Sequence, residues 1–303
     1  MSPDRETDDV DVAIVGGGPT GCSAGVFTAR YGLDTVIFDR GRSSIHRCAY
    51  LENYPGFPAG IDIETFTALL HDHATTAGCE IVPDLVESVE RRDDAGFVIE
   101  TQEDRRVTAD RIVAATRYGG EYLQSLGDDA MFATHEHDGE AYERFDRSYA
   151  DVDGRTPIDG CYVASPSDEA DRQAIIAAGR GARTGHALIA DVRRGRGYPD
   201  PIAKQYDWVR KEDELTDEWR DRERWAEWFD DRLPDDHDCS TARLDELCER
   251  EIDRRLDQYL SDEEIATRTR RGQSRLLEHV DDERVLERAR EIEAERRAVE
   301  TEH

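Results

Sequence analysis

The sequence predicts an α/β domain, a doubly wound parallel sheet with an antiparallel β-meander, followed by a helical C-terminal extension. Three observations carry this expectation. Val10, Val12, Ile14 and Val15, with Ala13, form the short β-branched run of a buried parallel strand, and Gly16, Gly18 and Gly21 follow at G-x-G-x-x-G spacing. A second such run, Thr35 to Phe38, ends in Asp39. Beyond Gly195, Gly197, Pro199 and Pro201 the apolar residues thin out and helical periodicity takes over.

Each glycine of the first turn has a physical task. Gly16 permits a tight strand-to-helix turn, Gly18 lets the backbone approach a pyrophosphate, and Gly21 lets helix and strand pack closely. Small residues from Cys22 to Gly25 open a helix as far as about Tyr31, whose N-terminus offers free N–H groups to phosphates. Asp39 then stands where an acidic side chain binds a ribose hydroxyl. These features specify a Rossmann-like dinucleotide site.

After a polar loop, the stretch ENYPGFPAGI excludes regular structure through Pro55, Gly56, Pro58 and Gly60. Asp62 is a helix N-cap, Gly78 a stop, and Phe66, Leu69, Leu70 and His73 the inner face between them. Cys79 to Pro83 reads as a short strand. Leu85–Val89, Phe97–Thr101 and Arg106–Thr108 read as a three-stranded meander feeding a separate strand, Arg111–Ala115. Residues 117–156 read as a long acidic connection with little sheet, Gly160–Ala164 as one more strand, and Asp168 to Val192 as a helix with a small-residue face. The domains are therefore expected at 8–193 and 202–303. In the second, Leu244, Leu247, Cys248, Ile252, Leu256, Tyr259 and Leu260 make an amphipathic stripe, and all four tryptophans cluster at its start.

Composition narrows the function. Asp and Glu total 70 against 40 Lys and Arg, a formal charge of −30. Lys204 and Lys211 are the only lysines, and the acids are spread over both halves. The expectation is a salt-in halophile's protein, hydrated by dense carboxylates, with no basic surface for non-specific nucleic-acid binding. The acidic start and the lack of a 20-residue apolar run predict a cytoplasmic chain with no membrane span. The six cysteines, none spaced C-x-x-C, are expected to be reduced, and no His or Cys cluster has metal spacing.

Laid in order, VAIVGGGPTGCSAG, FDRG, ENYPGFPAGI, IVAAT and GCYVASPSDEADRQAIIAAGRGARTG resemble the thioredoxin reductase-like group of FAD/NAD(P)-dependent oxidoreductases over about residues 8–193. The resemblance implies FAD bound by Gly16, Gly18, Pro19, Thr20 and Gly21 at the pyrophosphate and by Asp39, with Arg40 beside it, at the adenosine ribose. Val86 and Thr116 join the cofactor-binding set. Asn53 passes the flavin, and Arg172, Gln173 and Ala174, at the start of the last helix, face the isoalloxazine. Cys48 falls near the flavin edge as the candidate catalytic thiol; His46 and Arg47 would lower its pKa if they face it, and an incidental buried small residue is the plainer alternative.

The chain departs from the family's pattern in three ways. No second G-x-G-x-x-G or room for an NADPH-binding insert lies between Thr116 and Gly160, and the redox C-x-x-C is absent. The A-T-G signature reads Ala115-Thr116-Arg117 and G-D reads Ser165-Pro166. The resulting expectation is an FAD-dependent oxidoreductase served by external NAD(P)H or a redox partner protein, with a homodimer as its assembly. The alternative is a degenerate dinucleotide-binding scaffold acting through its helical tail.

Overall fold

The computed structural model describes residues 8–137, 140–167, 172–234, 237 and 239–301. The chain divides into two compact units, one ending at Asp207 and the other beginning at Trp208.

In the first unit, β1 (Asp8–Val15), α1 (Pro19–Arg30) and β2 (Thr35–Phe38) form the expected βαβ opening, and α2 (Ile63–Ala77) and β3 (Glu80–Val82) extend it. Asp62 caps α2 by accepting from the Thr65 N–H at 2.8 Å, and Gly78 ends it at φ 114°. Next come β4 (Val86–Arg91), β5 (Phe97–Thr101), β6 (Arg106–Ala115), β7 (Phe132–His137), β8 (Glu140–Phe145), β9 (Cys161–Ser165) and α3 (Ala174–Gly195). The main sheet runs β3-β2-β1-β6-β5-β4, with β9 also on β6.

β6 corrects the expected separation of meander and core strand. It is one ten-residue strand, parallel to β1 along most of its length. Its first half pairs antiparallel with β5 and its second half parallel with β9. Burial alternates in the first half and becomes continuous in the second, as expected for a strand passing from a half-covered to a fully covered position.

The alternation of β1 sorts the core. Val12 and Ile14 face α1 and α3, whereas Ala13 and Val15 face the side carrying the meander and Leu123, Met131 and Phe145. The small-residue face of α3 packs on α1: a Cβ on Gly181 would lie 2.0 Å from the Thr20 carbonyl oxygen. The segment read as a connection with little sheet contains the antiparallel hairpin β7–β8. Apart from Phe132, Tyr142 and Phe145 its side chains are small or polar, which leaves no periodic signal; Asp138-Gly139, the turn signature, lies outside the described residues.

The first unit closes with the short α4 (Asp200–Ala203); the second contains α5 (Asp217–Arg220), α6 (Arg222–Asp230), α7 (Thr241–Leu256), α8 (Asp262–Leu277) and α9 (Asp282–Thr301), with a two-residue parallel pairing of 210–211 and 259–260. Leu244, Leu247, Cys248 and Ile252 are buried as the stripe predicts, but Tyr259 and Leu260 belong to that pairing and not to the helix. Trp225 packs 4.5 Å from Trp219 and 6.0 Å from Trp228 between ring centroids, and Arg255 stacks on Trp225 and Trp228. The Glu251 carboxylate, 1% exposed, bonds Arg254 and Arg255 at 2.7 Å each, so its burial is matched by paired charge. Among the described residues no helix is long and apolar enough to cross a membrane.

Candidate functional site

A cavity of about 590 Å³ opens where the parallel strands end. Its walls are the turn Gly16–Thr20 after β1, Asp39 and Arg40 after β2, Val86 at the start of β4, Thr116 after β6, and Arg172–Ala174 ahead of α3. Ligands of open α/β sheets bind at this end because the strand-to-helix turns there leave backbone N–H groups unpaired.

The glycine turn has the shape that the spacing predicts. Gly16 adopts φ 119°, and a Cβ there would lie 2.6 Å from the Ala115 carbonyl oxygen. A Cβ on Gly21 would lie 1.8 Å from the Gly16 carbonyl oxygen; Gly21 therefore supports the turn from within α1 and is not on the cavity wall. Gly18 is the N-cap of α1 and Gln173 that of α3, and neither offers a side-chain cap. By contrast Asp62, Ser240 and Ser261 cap α2, α7 and α8. The two helices that end at the cavity thus keep their first-turn N–H groups and positive dipole ends for a ligand.

Asp39 is buried and held from two sides. One carboxylate oxygen accepts from the Gly41 N–H at 3.0 Å and the other meets His71 Nε2 at 3.1 Å. Burial opposes ionisation, but the His71 and Gly41 hydrogen bonds prevail and hold the carboxyl below its ordinary value. Each oxygen keeps a further lone pair for a ribose hydroxyl. His71 Nε2 also lies 2.9 Å from the Gly17 carbonyl oxygen, which accepts from the Cys22 thiol at 3.2 Å as well. Bonding to Asp39 first, then to Cys22 and Gly17, pushes the His71 pKa up to about 10. With the Gly17 carbonyl turned onto α2, the planar trans peptide sends the Gly18 N–H the opposite way.

His71 is the site residue that sequence reasoning missed. The expected inner face holds for Phe66, Leu69 and Leu70 but not for His73, which is exposed; the buried positions Ile63, Phe66 and Ala74 put His71 beside them at helical spacing. That spacing was the available signal. His71→Ala is expected to cost about 1.5 kcal/mol of stability, the size of a charged hydrogen bond. The sign follows from both partners. His71, raised on folding, contributes fully below its ordinary 6.5 and loses this as pH rises through about 10. Asp39, lowered on folding, contributes above its ordinary 3.8 and loses this as pH falls. Urea unfolding of parent and variant should therefore differ most between those two ordinary values and converge toward pH 10.

Gly16, Gly18, Pro19, Thr20, Asp39, Arg40, Cys48, Val86, Thr116, Arg172, Gln173 and Ala174 all line the cavity. Asn53 does not: its amide donates to Gln173 Oε1 at 2.9 Å, bracing the residue ahead of α3. Arg172 and Gln173 precede the helix, which begins only at Ala174; residues 168–171, the first part of the expected helix, lie outside the described residues. Thr116 Oγ1 shares a hydrogen bond with Tyr122 at 3.3 Å. Cys48 is exposed just after the turn 44–47, which corrects the alternative of a buried filler, while Cys22 is buried against Gly17.

This arrangement defines a dinucleotide-binding α/β domain with a cradle suited to a pyrophosphate and a ribose. Residues 9–48 match the FAD binding domain family. The chain is 32% identical over 112 residues to NADPH-dependent thioredoxin reductase 3 of Arabidopsis thaliana, covering 35% of this chain and 21% of that protein. It is 28% identical over 130 residues to the thioredoxin reductase of Schizosaccharomyces pombe, covering 40% of each. The matched part thus spans no more than two fifths of either relative. A thioredoxin reductase structure from Gloeobacter violaceus superposes with a TM-score of 0.51 at 17% identity, covering 67% of this chain and 100% of that one. The fold is the Rossmann-like FAD-binding fold found in thioredoxin reductases, and FAD is the cofactor for which it is built.

Proposed function

We propose that the chain is an FAD-dependent oxidoreductase that passes electrons through a bound flavin without a nicotinamide-binding domain or redox dithiol of its own. The observation that carries this reading is that two uncapped helix starts, Gly18 of α1 and Gln173 of α3, open onto one and the same cavity. Gly16, Gly18, Pro19 and Thr20 would hold the pyrophosphate, and Asp39 with Arg40 the adenosine ribose, beside Val86 and Thr116. Bound there, FAD supplies reversible two-electron chemistry. The α3 dipole favours negative charge at its N-terminus, and Gln173, fixed by Asn53, sets the backbone that presents Ala174. Cys48 is the thiol at the rim, and external NAD(P)H or a redox partner protein provides the electrons.

The sequence has no C-x-x-C, and one thiolate attacking a disulfide leaves a mixed disulfide that needs a resolving thiol. Thioredoxin reduction by NADPH should therefore stay well below about 1 s⁻¹ in the isolated chain, beneath the ordinary enzyme range. The test is NADPH oxidation with thioredoxin in high salt, alongside the visible spectrum of the purified protein. A flavin spectrum with slow turnover supports the proposal. Turnover at enzyme rates would sink the dithiol-free mechanism, and protein that takes up no flavin from excess FAD would sink the flavin reading.

A further inference from the structure

Gly16, Gly17 and Gly18 stand in a row, with no Cβ to restrict the backbone. The G-x-G-x-x-G spacing accounts for the first and third but asks nothing of Gly17. The structure does. A Cβ on Gly17 would lie 2.4 Å from the Asp39 Cβ and 2.6 Å from its Oδ2, so the turn is pressed against that carboxylate. A turn without side chains needs an outside hold to fix the direction of its peptide groups, and α2 supplies one from behind the cavity. His71, which is not on the cavity wall, places Nε2 2.9 Å from the Gly17 carbonyl oxygen and 3.1 Å from Asp39 Oδ2. The Cys22 thiol donates to the second lone pair of that carbonyl at 3.2 Å. Raised to about 10, chiefly by Asp39, the His71 pKa keeps the ring protonated through neutral pH, so Nε2 is a donor to both oxygens.

We infer that His71 is a positioning residue for the bound nucleotide: through one ring nitrogen it ties the Gly17–Gly18 peptide, which faces the pyrophosphate, to the Asp39 carboxylate, which takes the ribose. Were that peptide to flip, the Gly18 N–H would turn away from the cavity and a carbonyl oxygen would meet the phosphates. Glycines lie on both sides of it, so sterics alone do not oppose the flip; the His71 and Cys22 bonds do. The same nitrogen holds one Asp39 oxygen while the Gly41 N–H holds the other at 3.0 Å. Ribose and pyrophosphate subsites are thus preset at one spacing, and a ligand that uses both loses less entropy in ordering them. This role deepens the flavin reading and rests on it for the identity of the nucleotide; the bridge itself concerns only the adenosine diphosphate part.

The test uses the full chain at constant ionic strength set by KCl, with ADP, inorganic pyrophosphate and FAD as separate probes. His71→Leu removes the bridge and keeps a good helix former. His71→Gln brings an amide whose two N–H groups can serve both oxygens without charge. Leu70→Ala, on the same helix and packed against the core, is the reference for lost stability. His71→Leu should bind ADP and pyrophosphate each roughly tenfold or more weakly, the loss of at least one charge-assisted hydrogen bond. His71→Gln should stay within about threefold of the parent, and Leu70→Ala should match it. Pyrophosphate is the telling probe, because it has no ribose for Asp39 and reports the turn alone. Equal affinities of parent and His71→Leu would overturn the role, as would a loss confined to ADP, a failure of Gln to rescue, or an equal loss in Leu70→Ala. His71-dependent binding of ADP and pyrophosphate without FAD uptake would refute the flavin reading and leave the role standing. FAD uptake unchanged in His71→Leu, with ADP and pyrophosphate unchanged too, would overturn the role alone, and a parent that binds none of the three probes would overturn both.

Discussion

A chain carrying Gly18→Val is expected to fold and to lose bound flavin, with FAD affinity reduced by more than about 100-fold, close to 3 kcal/mol. Gly18 has φ −82°, which any residue adopts, so the backbone itself does not object. Space does: a Cβ would lie 2.8 Å from Ser43 Oγ, and the valine methyls would fill the cradle above the turn. The hydroxyl can rotate away, which keeps the cost to the fold near the usual 1–3 kcal/mol of overpacking. Gly16→Val differs, because its Cβ meets the Ala115 backbone and its φ is positive; that variant should fail to fold. Adding Ser43→Ala to Gly18→Val removes the hydroxyl contact. Thermal stability should then recover while visible flavin absorbance stays absent. Recovery of flavin would show that the loss ran through Ser43 and not through exclusion of the pyrophosphate.

Thermal stability is expected to rise steeply with salt, by roughly 10 °C or more between 0.1 and 3 M KCl, corresponding to a few kcal/mol for a chain of this size. Two effects oppose each other. Salt weakens the arginine–glutamate pairs along the C-terminal helices, such as Arg243–Glu246, Arg284–Glu287 and Arg288–Glu291, each worth ~0.3–0.5 kcal/mol. It also screens the repulsion of an excess of 30 carboxylates, whose range falls from ~10 Å at 0.1 M to ~3 Å at 1 M. Each exposed pair is worth little, whereas the excess of 30 carboxylates repels over both halves of the chain, so screening wins. A melting temperature that did not change over that range would refute the halophile proposal.

The phosphate turn was legible because its strand, glycines and helix are contiguous and each follows from local sterics. The α2 cap was legible for the same reason. What sequence reasoning missed depends on neighbours. The sequence pattern divides β6 at Ala109-Asp110, since one strand changes from alternating to continuous burial where its partner changes from β5 to β9. His71 acquires its role only when α2 lies against Asp39 and Gly17, residues from other elements. Asn53 was placed at the flavin by resemblance, yet its amide reaches Gln173, a partner 120 residues away.

The double pairing of β6 bears on how the protein is made. β1 and its glycine turn are synthesised well before β6, but β1 docks on β6 with Asp8 opposite Val107. β9, opposite Ile112 to Ala115, comes later still. The cavity wall runs in sequence from Val15 to Ala177, so a nascent chain has its phosphate turn long before it has a complete site. Parallel pairings at such separations form late, because loop closure must come first. Cofactor capture therefore follows the docking of β9 and α3 and does not direct it, and a ribosome-bound chain halted before Cys161 should emerge without flavin.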